Sequence, residues 1–546
     1  HYRPRGNENL ETIWNSRFAR GKNIYQGANR YVQDGFSFEQ HRLEFLGKNF
    51  FLRGYYSAND SGDYFDSRFK AININRAWKS DENWFGQYLA AYLGQVPGVS
   101  PGNHDEARAT ADTGRFEPNS AEFKAASSSV VSRTVREGGA RLVDQTSYYH
   151  ADGNYNFRDI IKFGEIQIGG SYRKMNLNSQ GSVFTDGNSK ISFDEFGVYT
   201  QLQKKFLDDR LKFTGSIRYD KSTNFEGNYS PRVSLNYALG ENKDHVIRAS
   251  YQTGFRNPTL QEQYFGLPIG TGHLIGGVDE NLDRYIVNIG GGNTLTGGAA
   301  FENSFSRAEL DRGNFVKSQL TTIEPEEVIS YELGYRSIVN LSSNKILELD
   351  VNGYYNNYES FTAIKDVLVP HYGGFNTDGT PNGQALLALQ NNDVTAFSVN
   401  TNSKADVTSY GIGVGMSTKV FKGFDLGLSY NYAKFDFDET SDPDFEPAFN
   451  TPEHKVEVQF GHPNVFKNFG FNVNARWQDE YYWQSSFLQG LVDARTVLDA
   501  QINYTVPSIK SRFKIGGTNL TGKEYFIAPG AGSIGSLYYI SWTIND

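Results

Sequence analysis

The sequence predicts an all-β fold, a transmembrane antiparallel β-barrel. Apolar and polar residues alternate with period two along most of the 546 residues, so each strand has one greasy and one wet face. Strand candidates come in pairs joined by tight turns, and the connections between pairs are long. No stretch approaches the roughly 18 apolar residues of a spanning helix. The mean hydropathy of −0.55 suits a barrel that meets lipid with alternate residues only.

The elements follow in order. A stub at His1–Pro4 precedes a short turn at Arg5–Glu8. Phe38–Leu46 and Phe50–Ser57 flank Gly47-Lys48-Asn49. Glu195–Phe206 and Leu211–Asn224 flank Leu207–Arg210. Asn228–Leu239 and Val246–Phe255 flank Gly240–Asp244. Tyr331–Val339 and Ile346–Tyr358 flank Leu341–Asn344. Tyr410–Val420 and Phe424–Phe437 flank Phe421-Lys422-Gly423. Leu498–Val506 and Phe513–Asn519 flank Pro507–Lys510, and Leu537–Asn545 closes the series. Longer connections run from about Gly94 to Val143, Arg256 to Ile323 and Phe361 to Ala405. Short and long connections alternate, as in a barrel with short periplasmic turns and long outer loops.

Parity assigns the faces. Leu211, Phe213, Ile217 and Tyr219 share one, while Lys212, Thr214, Ser216 and Arg218 share the other. In Phe469–Trp477 the odd positions are apolar and the even ones small or polar. Repeated Arg and Asn on one face fit a hydrated lumen. About 21 strands are expected here, and about 22 in the complete protein, because such barrels close with an even number. Two loop segments have helical character: Asn119-Ser120-Ala121-Glu122 resembles a capping box with Gly138-Gly139 ending the run, and Asn103–Thr113 is Ala-rich. Packing the loop explains them; a lid over the mouth is their functional reading.

Composition narrows the function. Aromatic residues are 15% of the chain and there are 56 Gly, which suits strands and tight turns. With no Cys there is no disulfide, thiolate zinc site or Cys nucleophile. A net charge of −9 without a basic stripe argues against nucleic-acid binding. The start at His-Tyr-Arg-Pro-Arg has no charged region followed by an apolar core, so a preceding segment is expected.

Four motifs lie in order along the chain: Ser230-Pro231-Arg232; Gly254-Phe255-Arg256-Asn257-Pro258; Glu324-Pro325-Glu326 with Tyr331-Glu332-Leu333-Gly334-Tyr335; and Asn519-Leu520-Thr521-Gly522-Lys523-Glu524-Tyr525. Together they resemble TonB-dependent outer-membrane receptors, particularly those of Bacteroidota, and the resemblance covers residues 1–546 as one barrel domain. It implies ligand binding at the outer mouth and import powered by TonB pulling on an N-terminal plug. Partners expected from it are outer-membrane lipid, the chain's own plug, TonB through that plug, and a surface lipoprotein or other outer-membrane subunits. The chain departs from the pattern in lacking a TonB box and plug, so the first strand and plug are expected before His1. The final strand places Tyr538, Ile540, Trp542 and Ile544 on one face as the barrel-assembly end signal. Asp546 stands where the family ends in an aromatic residue.

No catalytic motif emerges: HExxH, GxSxG and P-loop patterns are absent, and the nine His are scattered. No cofactor is expected beyond the lipid or detergent environment. Asp60, Asp63 and Asp66 cluster in a Gly-containing loop where calcium is conceivable, though EF-hand spacing is absent. Candidate ligand contacts are Tyr481, Tyr482, Trp483, Tyr264 and Arg256, with an interfacial aromatic girdle the plainer reading of Tyr481–Trp483. The leading expectation is an importer of a scarce or large nutrient. The alternative is a non-transporting barrel retained as a subunit of an outer-membrane assembly. An iron chelate, a glycan, a peptide and a vitamin all remain open as ligands, because loops carry the specificity.

Overall fold

The computed structural model describes residues 2–4, 10–27, 29–270, 272–342, 345–421, 423–485 and 488–544. The expected turn at Arg5–Glu8, His1, Ser343, Asn344, Lys422, Asn545 and Asp546 lie outside them.

A twenty-stranded antiparallel sheet runs through the chain. Its long members, numbered in chain order, begin with β1 (Leu10–Gln26), β2 (Arg30–Gly47), β3 (Phe50–Asp60), β4 (Ser147–Asn156), β5 (Glu165–Leu177) and β6 (Ile191–Phe206). There follow β7 (Leu211–Ser222), β8 (Asn228–Leu239), β9 (His245–Arg256), β10 (Glu326–Ser342), β11 (Lys345–Glu359) and β12 (Val407–Val420). The last six are β13 (Phe424–Phe437), β14 (His454–Phe466), β15 (Phe469–Gln478), β16 (Arg495–Val506), β17 (Ser511–Thr518) and β18 (Leu537–Ile544). Two short members, Asp63–Asp66 and Arg141–Leu142, continue β3 and the approach to β4 beyond a break. Each long strand pairs with the next in sequence, an unbroken meander. Tyr2 pairs with Thr12, placing the stub beside the foot of β1. The ends of the meander come round to each other: a Cβ on Gly532, in the loop before β18, would lie 3.4 Å from Arg30 Nη2 at the head of β2.

The expected faces are present. Val198, Ile217, Leu235, Leu333 and Ile515 stand bare on the outer side, which only a lipid environment makes favourable. Tyr251, Tyr331, Tyr355 and Tyr410 sit directly opposite one another on β9 to β12 and form an aromatic ring at the upper edge of the belt. The inner side carries ion pairs: Arg53 with Asp152 (2.7 Å), Arg248 with Asp350 (2.7 Å) and Arg476 with Asp499 (2.6 Å). Short turns occupy one end, and residues there adopt left-handed backbone where Asp and Asn tolerate it, as at Asp208, Asp209 and Asn468. No helix among the described residues is long and apolar enough to cross a membrane.

The first long outer loop, 61–146, corrects the expected boundary at Gly94. Four helices fill it: α1 (Ser67–Trp78), α2 (Asp81–Tyr92), α3 (His104–Ala111) and α4 (Ala121–Ser132). α3 was expected from its Ala-rich sequence and α4 from the capping-box pattern at Asn119–Glu122, where Ser120 is the N-cap; α1 and α2 were not. Ile72-Asn73-Ile74-Asn75 mimics a strand, but the Asp66 carboxylate accepts the Arg68 and Phe69 amides and starts a helix there. α4 ends at Ser132, earlier than the Gly138-Gly139 pair, which instead closes a 3-10 turn at Val135–Glu137.

Candidate functional site: the outer cap and the wall beneath it

Two outer loops, 257–325 and 360–406, fold together into a small cap. Its sheet joins Gly266–Pro268, His273–Ile275, Val394–Asn402, Thr362–Pro370 and Phe305–Ser306 in that order. His273–Ile275 and Phe397–Val399 pair in parallel, stitching one loop to the other. Ile275, Tyr285, Val287, Ala300, Val367 and Phe397 fill the core beneath.

Neighbouring loops are tied to the cap by polar side chains. Arg136, following α4, donates from Nε to the Gly266 carbonyl at 3.0 Å and lies 4.7 Å over the Tyr285 ring. Burial pulls the Arg136 guanidinium below its usual value, partly offset by Tyr285. Burial also pushes the Tyr285 hydroxyl up to about 12 and, together with Arg136, lowers His273 to about 4. His273 Nδ1 is 2.8 Å from the Tyr285 hydroxyl, so the neutral imidazole completes a buried chain Arg136–Tyr285–His273. From loop 438–453, Asp442 reaches Lys365 on the cap sheet at 2.7 Å. Asp444 accepts from Ser306 Oγ, and Glu446 accepts from Gln489 of the following loop. Burial raises both Asp444 and Glu446 above the ordinary carboxylate range. These ties went unexpected. Lys365 is the one with a signal in the sequence, a charge in the row Ala363, Val367, Val369.

Below the cap, a hollow of about 650 Å³ opens on the inner wall of β8 to β11, lined by Arg232, Asn236, Arg248, Gln252, Glu332 and Asn356. Arg248 is paired with Asp350, and Ser250 and Gln252 donate to Glu332. Among the described residues Arg232, on the same wall, has no acceptor.

The expected site residues are not gathered in one place. Tyr481–Trp483 forms a small hairpin with Gly490–Val492 beyond the end of β15. Tyr481 donates to the Ile527 carbonyl, while the Tyr482 ring is exposed. Tyr264 is 1% exposed and its hydroxyl bonds Asn224 and Glu280, so it packs the cap and offers no surface. Arg256 is held at the top of β9 by Glu262 and Glu326. The three loop aspartates have separate tasks: Asp60 accepts from Gly62 and Gln145, Asp63 lies opposite Asp34, and Asp66 caps α1 while accepting from Asn29. Among the described residues no group of three His, Cys, Asp or Glu is placed to hold a metal ion. Tyr538, Ile540, Trp542 and Ile544 do share the exposed face of β18.

The model of the family described as TonB dependent receptor-like, beta-barrel matches residues 2–520. No curated protein matches the chain. Among solved structures, the siderophore receptor PirA from Acinetobacter baumannii is similar at TM-score 0.59 and 11% identity, covering 98% of this chain and 69% of that one. A mutant of the ferric enterobactin receptor PfeA from Pseudomonas aeruginosa gives TM-score 0.59 at 13% identity over 99% and 68%. The FrpB iron transporter from Neisseria meningitidis gives 0.56 at 10% identity over 98% and 71%.

Proposed function

The chain belongs to the TonB-dependent receptor β-barrel family, and from that premise we propose that it imports a metal-bearing chelate captured between its outer cap and the polar wall of β8 to β11. Family membership makes it an outer-membrane barrel of TonB-dependent import, in a family of transporters and receptors that engage TonB through a plug. The observation that carries the ligand class is Arg232, a cation without an acidic partner among the described residues, in a hollow whose polar lining is amide, hydroxyl and charged groups. Such a wall suits an anionic, polar-faced ligand too large to diffuse through a porin. The names borne by similar structures, a siderophore receptor, a ferric enterobactin receptor and an iron transporter, support a metal cargo. The exposed ring of Tyr482 supplies a stacking face at the outer surface.

Uptake in a strain deleted for the gene and complemented with the full-length protein tests this. Complementation should restore growth on at least one ferric or cupric chelate supplied as the sole metal source. Arg232→Ala should weaken binding of that chelate about tenfold, the scale of one charge-assisted hydrogen bond. Identical growth with and without the gene across anionic chelates would sink the assignment. Stoichiometric outer-membrane partners with no uptake defect would instead favour the structural-subunit reading.

A further inference from the structure

Lys365 has an unusual position. On Thr362–Pro370 the residues Ala363, Lys365, Val367 and Val369 share one face, and all four are buried; Lys365 is 1% exposed. An ammonium in an apolar row is costly unless it is paired. Its partner Asp442 is buried as well, and Nζ lies 2.7 Å from both Oδ1 and Oδ2. Ala363 and Phe445 belong to one apolar cluster, with Phe361, Phe435 and Phe437 packed against it. The nucleophilic nitrogen and the carboxyl carbon are therefore held together in a site shielded from water, the arrangement that makes an intramolecular reaction fast.

We propose that Lys365 and Asp442 condense to an intramolecular amide, covalently linking the cap sheet to the loop 438–453. One proton passes from Nζ to Oδ1 within the ion pair, and the lone pair so freed on Nζ attacks Cγ of Asp442; the new C–N bond forms as the Cγ–Oδ1 bond breaks. Oδ1 leaves as water with two of the protons that the ammonium brings, so the ion pair already contains every atom needed and nothing is oxidised or reduced. Oδ2, the oxygen retained as the amide carbonyl, accepts from Ser403 Oγ at 2.8 Å and from the Lys404 amide at 2.9 Å. Those two donors stabilise the negative charge that builds on Oδ2 in the tetrahedral intermediate. Burial of both groups keeps water scarce around them, which favours the amide over its hydrolysis.

This inference concerns the outer loops alone and stands whether or not the cargo is a metal chelate. The full-length protein purified from outer membranes is denatured, digested and analysed by tandem mass spectrometry. The expected product is one branched peptide joining the Lys365 and Asp442 segments, lighter than their sum by one water, about 18 Da. Recovery of the two linear peptides in its place means a plain ion pair and overturns the proposal. Ser403→Ala, which keeps both reacting groups and removes one donor to Oδ2, should shift recovery towards the linear peptides. Because the readout is made on denatured chain, a folding defect in that variant is separated by first comparing the heat-dependent gel mobility of the barrel. A well-folded Ser403→Ala barrel with full branching overturns the role given to that donor.

Discussion

Arg136 and His273 show how single residues set the behaviour of the cap. Arg136 satisfies the Gly266 carbonyl from a helical loop that has little other polar hold on the cap. Arg136→Met keeps the length and removes the donors, so the carbonyl is left without them. A cost of about 2 kcal/mol is expected, read as faster amide hydrogen exchange around Gly266. His273 carries a pH dependence. Its folded value of about 4 lies below the ordinary 6.5, so the unfolded cap binds the extra proton first. Stability is full above pH 6.5, is lost as pH falls through the interval from 6.5 to 4, and levels off below it. The loss is at most about 3 kcal/mol, and His273→Gln should flatten the profile of exchange at Leu274 and Ile275. Neither residue was foreseeable: each acts through contacts more than a hundred residues away in one case and across a turn of the cap in the other, which no local pattern encodes.

At the scale of elements, local chemistry decided what was legible. Asn228–Leu239 and Phe424–Phe437 were expected with their observed ends, because alternation and the flanking turns are both local signals. The Ala-rich run at Asn103–Thr113 and the capping pattern at Asn119–Glu122 likewise announced α3 and α4. Ser120→Ala should cost about 1 kcal/mol, measurable as earlier thermal loss of helical signal with the barrel intact. α1 is hidden because Ile72–Asn75 carries a strand period, and the deciding cap, Asp66, reads locally as one of three loop aspartates. The cap sheet was hidden for a different reason. Phe397 and Val399 look like any buried strand, and nothing near them reveals that the partner is His273–Ile275. The site suffered the same way: Tyr264 had the chemistry of a ligand contact, but its burial depends on three loops meeting.

Across the whole molecule, the outer belt and the inner wall should respond oppositely to the same substitution. Leu333 faces outward from the middle of β10, so Leu333→Arg should cost about 2–4 kcal/mol on folding into lipid vesicles. Asn352 faces the lumen across β11 and should accept Arg with far less loss; equal costs at the two positions would contradict the assigned faces. The parallel seam between His273–Ile275 and Phe397–Val399 has a consequence for the order of assembly. Its halves are separated by the entire hairpin β10–β11, and a parallel pairing that distant is slow to close in a free chain. Once β9 to β12 have zipped side by side, the same two segments are delivered to one spot on the cell exterior with their spacing already fixed. The barrel thus serves as a folding template for the cap, and a chain stalled during membrane insertion would display Val367, Phe397 and Val399 as naked strand edges, open to outside proteases until the last hairpins are in place.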